Sequence, residues 1–599
     1  MKIKVAKYIS TFLVEKGITD CFMITGGGAM HLNDAIGHEK RIRCVFNHHE
    51  QACTMAAEGY ARVTGKIAAV CVTSGPGGTN AITGVVGGWQ DSIPMFILSG
   101  QAKRETIKWS CQELKLRQLG YQEFDIINSV QNMTKYAVMV TNPQEVAYHL
   151  EKAFYLAITG RPGPVWLDIP LDVQGAIIDT DTLIHFDSEI ENPWPVPKVS
   201  EKQAEDILVK IKQAKAPLIV AGTGIRVGDA ENEFLALVNK LQIPVVTAWG
   251  ANDTLSFDNP YFAGMTGTIG IRPGNFAVQN CDLLITLGSR LNLFVIGYNH
   301  YEFAKNAYKI IVDIDRSELT KPTIRPDMAV HADVKDLMKK LLSLDYVAQD
   351  HHKKWLHWCK NLVYKYPVVL PEYYNQDAGL INPYVFIDKL FNATIPSDRI
   401  ACGNGSACMV TLQAGKIKQG QRMFANSGCG AMGYGFPASI GVAVADNSRR
   451  TICIDGDGSI MMNLQELATV EYNHLNVKIF LINNNGYLSI RQTQRNLFKP
   501  PFVGLDSTSG VGFPNFKKIA DAFSIAYYSI HTESECDAVT ANVLNSDGPC
   551  ICEVFVDPKQ NFVPKSAAKV LPDGKIVSPA FEDMAPFLDR KEFESIKYK

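Results

Sequence analysis

The chain has 599 residues and a net charge of -2, with 46% hydrophobic and 20% charged residues. A chain of this length is too long to fold around one hydrophobic core, so we expect three domains of roughly 150–200 residues. The near-neutral charge gives no electrostatic basis for a nucleic acid or membrane partner. No apolar run reaches transmembrane length, and the N-terminal segment has the pattern of an amphipathic helix. The 14 cysteines form no Cys-x-x-Cys pair, which indicates reduced thiols and a cytoplasmic location.

The order of apolar runs predicts an α/β fold with three doubly wound parallel-sheet domains. In residues 1–175, strands that end in Gly, Ser, Asn or Pro alternate with helices. The Pro-rich connector 192–197 separates them from a second α/β series at 198–345. A third series is expected at 375–556, and residues 557–599 are expected to form a C-terminal tail that wraps the surface.

In the first domain, residues 45–62 predict a strand, a short turn and an Ala-rich helix, with Glu50 at the helix start. Taken alone, an acidic residue there is equally well explained as a partner of the helix dipole. His48, His49 and Glu50 lack the His-Glu-x-x-His spacing of a zinc helix, so zinc ligation is not expected.

Short loops follow the strands of the second domain and carry glycines and polar residues. They lie at 221–224, 264–270, 288–292, 313–315 and 332–334. Taken alone, each loop is an ordinary turn.

The third domain contains the most informative stretch of the chain. Apolar runs at 451–454 and 477–482 predict buried parallel strands, and helical spacing at 463–472 predicts a connecting helix. One strand runs into Gly-Asp-Gly-Ser and the other into Asn-Asn-Asn-Gly. In a parallel βαβ unit both loops lie at the carboxyl ends of the strands, where open α/β sheets bind ligands.

These two loops predict a magnesium and diphosphate site. Asp457, Asn484 and a backbone carbonyl near Gly486 offer three hard oxygens, which a diphosphate and water would complete to an octahedron. Gly458 and Ser459 let backbone N–H groups approach a phosphate. Taken singly, each loop is explained as an ordinary turn. As a pair, they resemble the GDG…NN signature of thiamine-diphosphate (ThDP) enzymes.

Further motifs resemble the acetohydroxyacid (acetolactate) synthase branch of the ThDP family over nearly the whole chain. They are HEQ…MAAEGYAR at 49–62, TSGPGGTN at 73–80, DSIP at 91–94 and GRPGP at 160–164. The resemblance implies that Glu50 hydrogen-bonds the cofactor's aminopyrimidine, which itself takes the proton from the reactive carbon. It also implies a site shared between subunits, hence a homodimer or homotetramer.

Residues 427–435 resemble the family segment that bends the cofactor. The resemblance implies that the Gly430 carbonyl accepts from the exocyclic amine and that Met432 lies between the two rings. The segment is also a formal G-x-G-x-x-G followed by Asp455, which would predict NAD(P) binding. That alternative leaves the magnesium ligands without a role. The remaining cofactor contacts implied are Thr73, Gly405, Ser406 and Tyr487.

The order of the second-domain loops resembles the FAD-binding domain of acetohydroxyacid synthases, in which the flavin does no net redox chemistry. The resemblance implies that Arg290 contacts the flavin cofactor and that Asp313 and Asp333 hold its polar ends. The other contacts it implies are Gly222, Gly224, Thr247, Gly267 and Asn292. An empty site or an ADP site, as in related decarboxylases, is the alternative.

The substrate pocket departs from the family in its acceptor half. Gln122 and Lys135 match family positions that line the donor pocket. Phe294, however, stands where the family has an arginine for the second substrate's carboxylate, and Thr493, near Ile490, stands where it has a tryptophan. Loss of the guanidinium removes a bidentate carboxylate clamp, so a carboxylate-bearing acceptor is disfavoured.

We therefore expect a carboligase that decarboxylates pyruvate or a short 2-oxoacid and adds the two-carbon acyl-anion unit to a neutral carbonyl acceptor. Segments at 564–574 and 582–587 resemble a flavoprotein branch that acts on nucleotide-linked keto-deoxysugars. An acetolactate synthase, which usually has a regulatory subunit, is one alternative. A simple decarboxylase or C–C hydrolase, which would keep Glu50 and Asp457, is another. A non-catalytic relative would be expected to have lost these residues.

Overall fold

The computed structural model describes residues 1–374, 379–570 and 576–598. It contains three six-stranded sheets in which every neighbouring pair of strands is parallel, with helices between the strands. The predicted fold class is confirmed. The predicted start of the third domain at 375 and residues 571–574 of the tail lie outside the described residues.

The first sheet positions Glu50. Its strands, in spatial order, are Arg43–Phe46, Asp20–Met23, Ala69–Val72, Phe96–Gln101, Val165–Pro170 and Tyr136–Met139. Its helices are Val5–Glu15, Met30–Gly37, Glu50–Thr64, Pro76–Asp91, Ile126–Val130, Val146–Ile158 and Leu171–Gly175. The edge strand Tyr136–Met139 was not predicted, although residues 136–140 form a short apolar run. All four residues of the strand are only partly buried.

The second sheet has a strand order typical of dinucleotide-binding folds. In spatial order its strands are Phe262–Thr266, Val245–Ala248, Pro217–Ala221, Leu283–Leu287, Tyr308–Asp313 and Met328–His331. Numbered along the chain this is 3-2-1-4-5-6, whose ligand crevice lies where the order reverses. That point is between Pro217–Ala221 and Leu283–Leu287. The helices are Glu201–Gln213, Gly224–Val227, Glu231–Leu241, Arg272–Asn280, Leu293–Ile296, Arg316–Thr320, Val334–Ser343 and His352–Lys365.

The third sheet repeats the order of the first. In spatial order its strands are Arg422–Ala425, Arg399–Cys402, Thr451–Gly456, Val477–Asn483, Cys550–Phe555 and Ala526–Ile530. When the strands are numbered along the chain, the spatial order in both sheets is 2-1-3-4-6-5. The helices are Pro383–Ala393, Ser406–Ala414, Gly435–Ala445, Leu467–Tyr472, Leu488–Leu497, Phe516–Ala522 and Cys536–Asn545.

The connecting helix predicted at 463–472 is shorter than expected and begins at Leu467. Two single 3₁₀ turns precede it, and the second ends at Glu466, which is fully buried. The Glu466 carboxylate accepts hydrogen bonds from the Asn47 side chain and the His48 backbone N–H, both at 2.9 Å. This contact with the first domain accompanies the late helix start, and it was not visible in the local sequence.

The first and third domains meet through two helices in backbone contact. Helix Glu50–Thr64 packs on helix Gly435–Ala445, and a β-carbon on Gly441 would lie 1.8 Å from the Ala56 carbonyl oxygen. A β-carbon on Gly59 would lie 2.1 Å from the Ala438 carbonyl oxygen. Glycine is therefore required at both crossing positions, and the two domains have little freedom to separate.

The C-terminal tail ties the second and third domains together. The Val563 N–H donates to the Tyr384 hydroxyl at 2.9 Å, and Arg272 donates to the Met584 carbonyl at 2.9 Å. The tail ends in helix Arg590–Ser595. Among the described residues, no helix has the length and apolar character needed to cross a membrane.

Candidate active site

The strand ends at Gly456 and Asn483 bring two of the predicted metal-site residues into contact. The strands pair in register up to Gly456 and Ile482, so the loops that follow them lie side by side. One carboxylate oxygen of Asp457 accepts from the Gly486 N–H at 2.8 Å, and the other accepts from the Gly458 N–H at 2.9 Å. The βαβ unit therefore assembles this loop pair as the sequence indicated.

The electrostatics of this loop pair fit a bound cation. Asp457 is buried, and burial raises the pKa of its carboxyl to about 7. A divalent cation would favour the ionised form that burial disfavours. Asn484 donates from Nδ2 to Ser406 Oγ at 2.9 Å, while its Oδ1 is buried without a hydrogen-bond partner. An unsatisfied buried oxygen costs free energy unless a ligand binds it, and Mg²⁺ binds such oxygens.

The described part of the chain holds no group of three or more His, Cys, Asp or Glu side chains placed to bind a metal. The oxygens predicted from the sequence to bind a cation here are one carboxylate, one amide oxygen and a backbone carbonyl. Such a set leaves positions for a diphosphate and water, which is the usual arrangement for Mg²⁺. Arg491, which sequence reasoning missed, donates to the Asn484 carbonyl at 3.1 Å and supports the loop.

Glycines and small polar residues form a cradle around the same strand ends. A β-carbon on Gly458 would lie 2.2 Å from the Tyr487 ring, so only glycine fits. Gly405 has a φ of 71° and immediately precedes helix Ser406–Ala414, whose first N–H groups have no partner within the helix and are suited to bind an anion. Ser459 Oγ accepts from the Gly433 N–H at 2.9 Å, which joins the cradle to the predicted bending segment.

The bending segment is held in a turn at Gly430. Gly430 has a φ of 63°, a conformation that favours glycine, and its carbonyl accepts from the Asn404 side chain. Met432 is half-buried on the same segment. Asn404 was not predicted, because a single asparagine in a glycine-rich loop is normally a turn residue.

Glu50 is the first residue of its helix, as predicted, and it is buried. Its Oε2 accepts from Asn80 Nδ2 at 3.0 Å. A β-carbon on Gly77 would lie 2.9 Å from Thr73 Cγ2 and 3.7 Å from Glu50 Oε1, so Thr73 belongs to the same pocket. Within the described residues, no hydrogen bond or ion pair joins Glu50 to Asp457.

The structure separates the two predicted donor-pocket residues. Gln122 has a left-handed φ of 56°, and its carbonyl oxygen would lie 2.7 Å from a β-carbon on Gly75, next to the Thr73 loop. Lys135 instead donates to the Thr159 carbonyl and lies 4.7 Å from the centre of the Trp194 ring. Burial lowers the pKa of Lys135 to about 8.

A cavity of about 320 Å³ opens at the crevice of the second sheet. Five predicted flavin contacts line it: Gly224, Arg290, Asn292, Asp313 and Asp333. Burial raises the pKa of Asp313 to about 6, and Asp333 caps helix Val334–Ser343 by accepting from the Lys335 N–H.

Three predicted flavin contacts do not line this cavity. Gly222 packs behind it, where a β-carbon would lie 2.1 Å from the Gly288 carbonyl oxygen. Thr247 is fully buried, and Gly267 donates to Asn275 Oδ1 at 3.1 Å. Arg161 does line the cavity but was not predicted as a contact, although it lies in the quoted GRPGP motif.

The two acceptor positions differ in burial. The Phe294 ring lines the central cavity and packs edge-on against Trp249, with ring centres 5.2 Å apart. Thr493 is exposed, and its hydroxyl donates to the Ser489 carbonyl at 3.1 Å. Ile490 lies three residues earlier in helix Leu488–Leu497, so it shares a helix face with Thr493, and it is 48% exposed.

The fold and the paired loops define a class of protein, which sequence comparison confirms. Residues 3–129 match the N-terminal TPP-binding domain of the thiamine pyrophosphate enzymes, 204–341 match their central domain, and 403–554 match their C-terminal TPP-binding domain. The chain therefore belongs to the thiamine pyrophosphate enzymes, and thiamine diphosphate is its cofactor.

Within this family the chain is similar to acetolactate synthase large subunits. It is 33% identical to the large subunit of acetolactate synthase isozyme 1 from Escherichia coli K12, over 93% of this chain and 95% of that protein. It is 30% identical to the Lactococcus lactis large subunit, over 94% of each chain. The Cyanidium caldarium large subunit is 31% identical over 93% of each chain. The chain is thus an acetolactate synthase-like ThDP carboligase.

Proposed function

We propose that the enzyme transfers a two-carbon unit from pyruvate, or a similar short 2-oxoacid, to a carbonyl acceptor that carries no carboxylate. The observation that supports this is the Phe294 ring, which packs on Trp249 where the family is expected to place a carboxylate-binding arginine. An apolar ring offers a second 2-oxoacid no charged partner. The exposed, small Thr493 leaves room for a bulky acceptor, and a nucleotide-linked keto-deoxysugar has that size and neutral carbonyl.

The chain's own residues would bind and orient the cofactor. Asp457, the orphaned Asn484 oxygen and a backbone carbonyl near Gly486 hold Mg²⁺. The unpaired N–H groups at the start of helix Ser406–Ala414 would bind the diphosphate. Glu50 orients the aminopyrimidine through a hydrogen bond. When bound, thiamine diphosphate supplies the carbon that attacks the 2-oxoacid and stabilises the charge left after loss of CO₂.

We further propose that each site is shared by two copies of the chain. Phe46, near the strand end that precedes Glu50, is 50% exposed, and Met462, just beyond the Asp457 loop, is 47% exposed. A second copy would cover such apolar side chains and bring its own Glu50 to Asp457.

A complementation experiment tests the shared site. Glu50→Gln should bind ThDP but lose about 10²–10⁴-fold in turnover, the usual worth of a group acting in proton transfer. Asp457→Ala should lose ThDP and Mg²⁺ binding. When the two variants are co-expressed with different tags, one site of each mixed dimer keeps both native residues. The purified mixed dimer should then recover about half of the native turnover per dimer.

Two results would count against the shared site. If the mixed dimer were as inactive as its parents, Glu50 and Asp457 would act within one chain. If Glu50→Gln alone kept full turnover, Glu50 would have no role in catalysis. Co-expression of two copies of Glu50→Gln with different tags is the matched control.

We propose that the central cavity holds FAD in a non-redox role. The 3-2-1-4-5-6 strand order and the position of the cavity at the crevice support a dinucleotide. Arg290 is placed to pair with a diphosphate, while Asp313 and Asp333 offer acceptors for hydroxyl or amide groups of the ligand.

The purified protein should therefore be yellow and carry about one FAD per chain. Arg290→Gln should weaken flavin retention during gel filtration, whereas Arg325→Gln, an exposed arginine in the same domain, should not. A colourless protein that binds ADP but not added FAD would show that the cavity is an adenine-nucleotide site instead.

Assays with a panel of acceptors test the proposed reaction. With pyruvate as donor, the native enzyme should turn over neutral ketones or keto-sugars faster than it forms acetolactate. Phe294→Arg should raise acetolactate formation, by about tenfold for each 1.4 kcal/mol that the restored charge pair contributes. Phe294→Leu, which stays apolar, should not.

Efficient acetolactate formation by the native enzyme, with no turnover of any keto-sugar, would contradict the proposed acceptor and would assign the activity named for the relatives above. Release of an aldehyde or acid without any acceptor would instead identify a decarboxylase or C–C hydrolase.

A further inference from the structure

A buried polar network joins the first domain to the segment that precedes Gly430. Glu58, on helix Glu50–Thr64, is fully buried, and its Oε1 pairs with Arg62 Nη2 at 2.6 Å. The Tyr434 hydroxyl donates to the same Glu58 oxygen at 3.1 Å. A buried charge pair of this kind is costly unless further hydrogen bonds satisfy it. The site residues assigned above leave this network without a function.

Asn426 uses both ends of its side-chain amide in this network. Its Nδ2 donates to the two Glu58 carboxylate oxygens at 3.2 and 3.3 Å. Its Oδ1 accepts from the Cys429 and Gly430 N–H groups, both at 3.1 Å. Only this orientation of the amide satisfies both sides, because the carboxylate cannot donate and the N–H groups cannot accept. Glu58 therefore fixes the direction in which Asn426 holds the Cys429–Gly430 peptide.

Asp91 holds the other end of the same turn. Its Oδ2 pairs with Arg62 Nη2 at 2.6 Å and accepts from the Ser427 N–H at 3.0 Å. A β-carbon on Gly428 would lie 2.7 Å from Asp91 Oδ1, so the segment passes in close contact with this carboxylate. Both Asp91 and Ser427 also line the central cavity.

We propose that Asn426 is a positioning residue: held by Glu58, it fixes the Cys429–Gly430 peptide on one side of Gly430. Together with Asn404, which donates to the Gly430 carbonyl on the other side, it keeps that carbonyl in the direction in which it would accept from the cofactor's aminopyrimidine. Gly430 has a φ of 63°, and a glycine in this region can rotate at little cost unless its neighbours hold it. The inference rests on the proposed role of Gly430. It adds a reason why that carbonyl has a defined direction, namely a hydrogen-bond chain that begins at an ion pair in another domain.

The first arm of the test uses the protein without cofactor. In Asn426→Ala, amide hydrogen exchange at Cys429, measured by mass spectrometry on a peptide covering residues 427–430, should accelerate by more than about tenfold, because the Cys429 N–H loses its acceptor. The Gly430 N–H keeps the Asn426 backbone carbonyl, at 2.9 Å, as an acceptor. Asn382→Ala is the matched control. Asn382 is also buried and bridges a backbone N–H and a side chain, with Tyr384 and Gln560 as partners, away from this segment. The control should leave exchange in 427–430 unchanged.

The second arm uses the protein saturated with ThDP and Mg²⁺. Proton exchange at the reactive carbon of the bound cofactor, followed by NMR after acid quench, should slow by more than about tenfold in Asn426→Ala. The ThDP dissociation constant should change by less than about threefold, because the diphosphate and metal contacts are intact. If Asn426→Ala does not fold, the same two exchange measurements are made on Asn426→Ser.

Unchanged amide exchange in residues 427–430 would overturn the proposal, whatever the fate of the proposed function, because this arm needs no cofactor. A second result would also overturn the proposal: faster amide exchange in Asn426→Ala, but unaltered proton exchange at the cofactor and a kcat/KM equal to that of Asn382→Ala. Asn426 would then have only a structural role. Failure of the native protein to bind ThDP would remove the proposed role of Gly430, and with it this inference.

Discussion

A carboxylate buried at the end of a strand is the constraint around which this molecule is arranged. Asp457 is almost inaccessible to solvent, and burial is the main cause that raises the pKa of its carboxyl to about 7. Its charged form becomes favourable when a cation takes the place of the lost water. The neighbouring loop holds Asn484 Oδ1, which is buried without a hydrogen-bond partner and is the second donor that we propose for this cation. Parallel pairing of two adjacent strands brings these groups together.

The three sheets place their ligand-binding loops according to one rule. Each has a point where the strand order reverses, and the loops with Thr73, Arg290 and Asp457 lie beside that point. Other candidate residues lie after neighbouring strands at the same edge, and Glu50 follows the edge strand Arg43–Phe46. The first and third sheets share one order, whereas the central sheet has that of dinucleotide-binding folds. Glycine contacts between two helices hold the outer domains together, and the network through Glu58 and Asn426 extends that contact to the bending segment.

The sequence was most informative where one local pattern of residues indicates both a structural element and a ligand site. Apolar runs that end in Gly-Asp-Gly and Asn-Asn-Asn were enough to predict a βαβ unit with ligands at its edge. The partly buried edge strand Tyr136–Met139 was overlooked although its residues are apolar. The start of the helix at Leu467 could not be found, because the contact of Glu466 with the first domain is not visible in the local sequence. Asn404 and Asn426 were missed for the same reason: a lone amide acquires a role only through its neighbours in space.

Calorimetric titration of the cofactor-free protein with thiamine diphosphate, with and without Mg²⁺, tests the central claim most directly. We expect about one ThDP to bind per chain in the presence of Mg²⁺. A chelator should remove most of that affinity, because the proposed cation joins the diphosphate to Asp457 and Asn484. Asn484→Ala should weaken the Mg²⁺-dependent binding. Binding of equal strength with and without the metal, or no binding in its presence, would contradict the account.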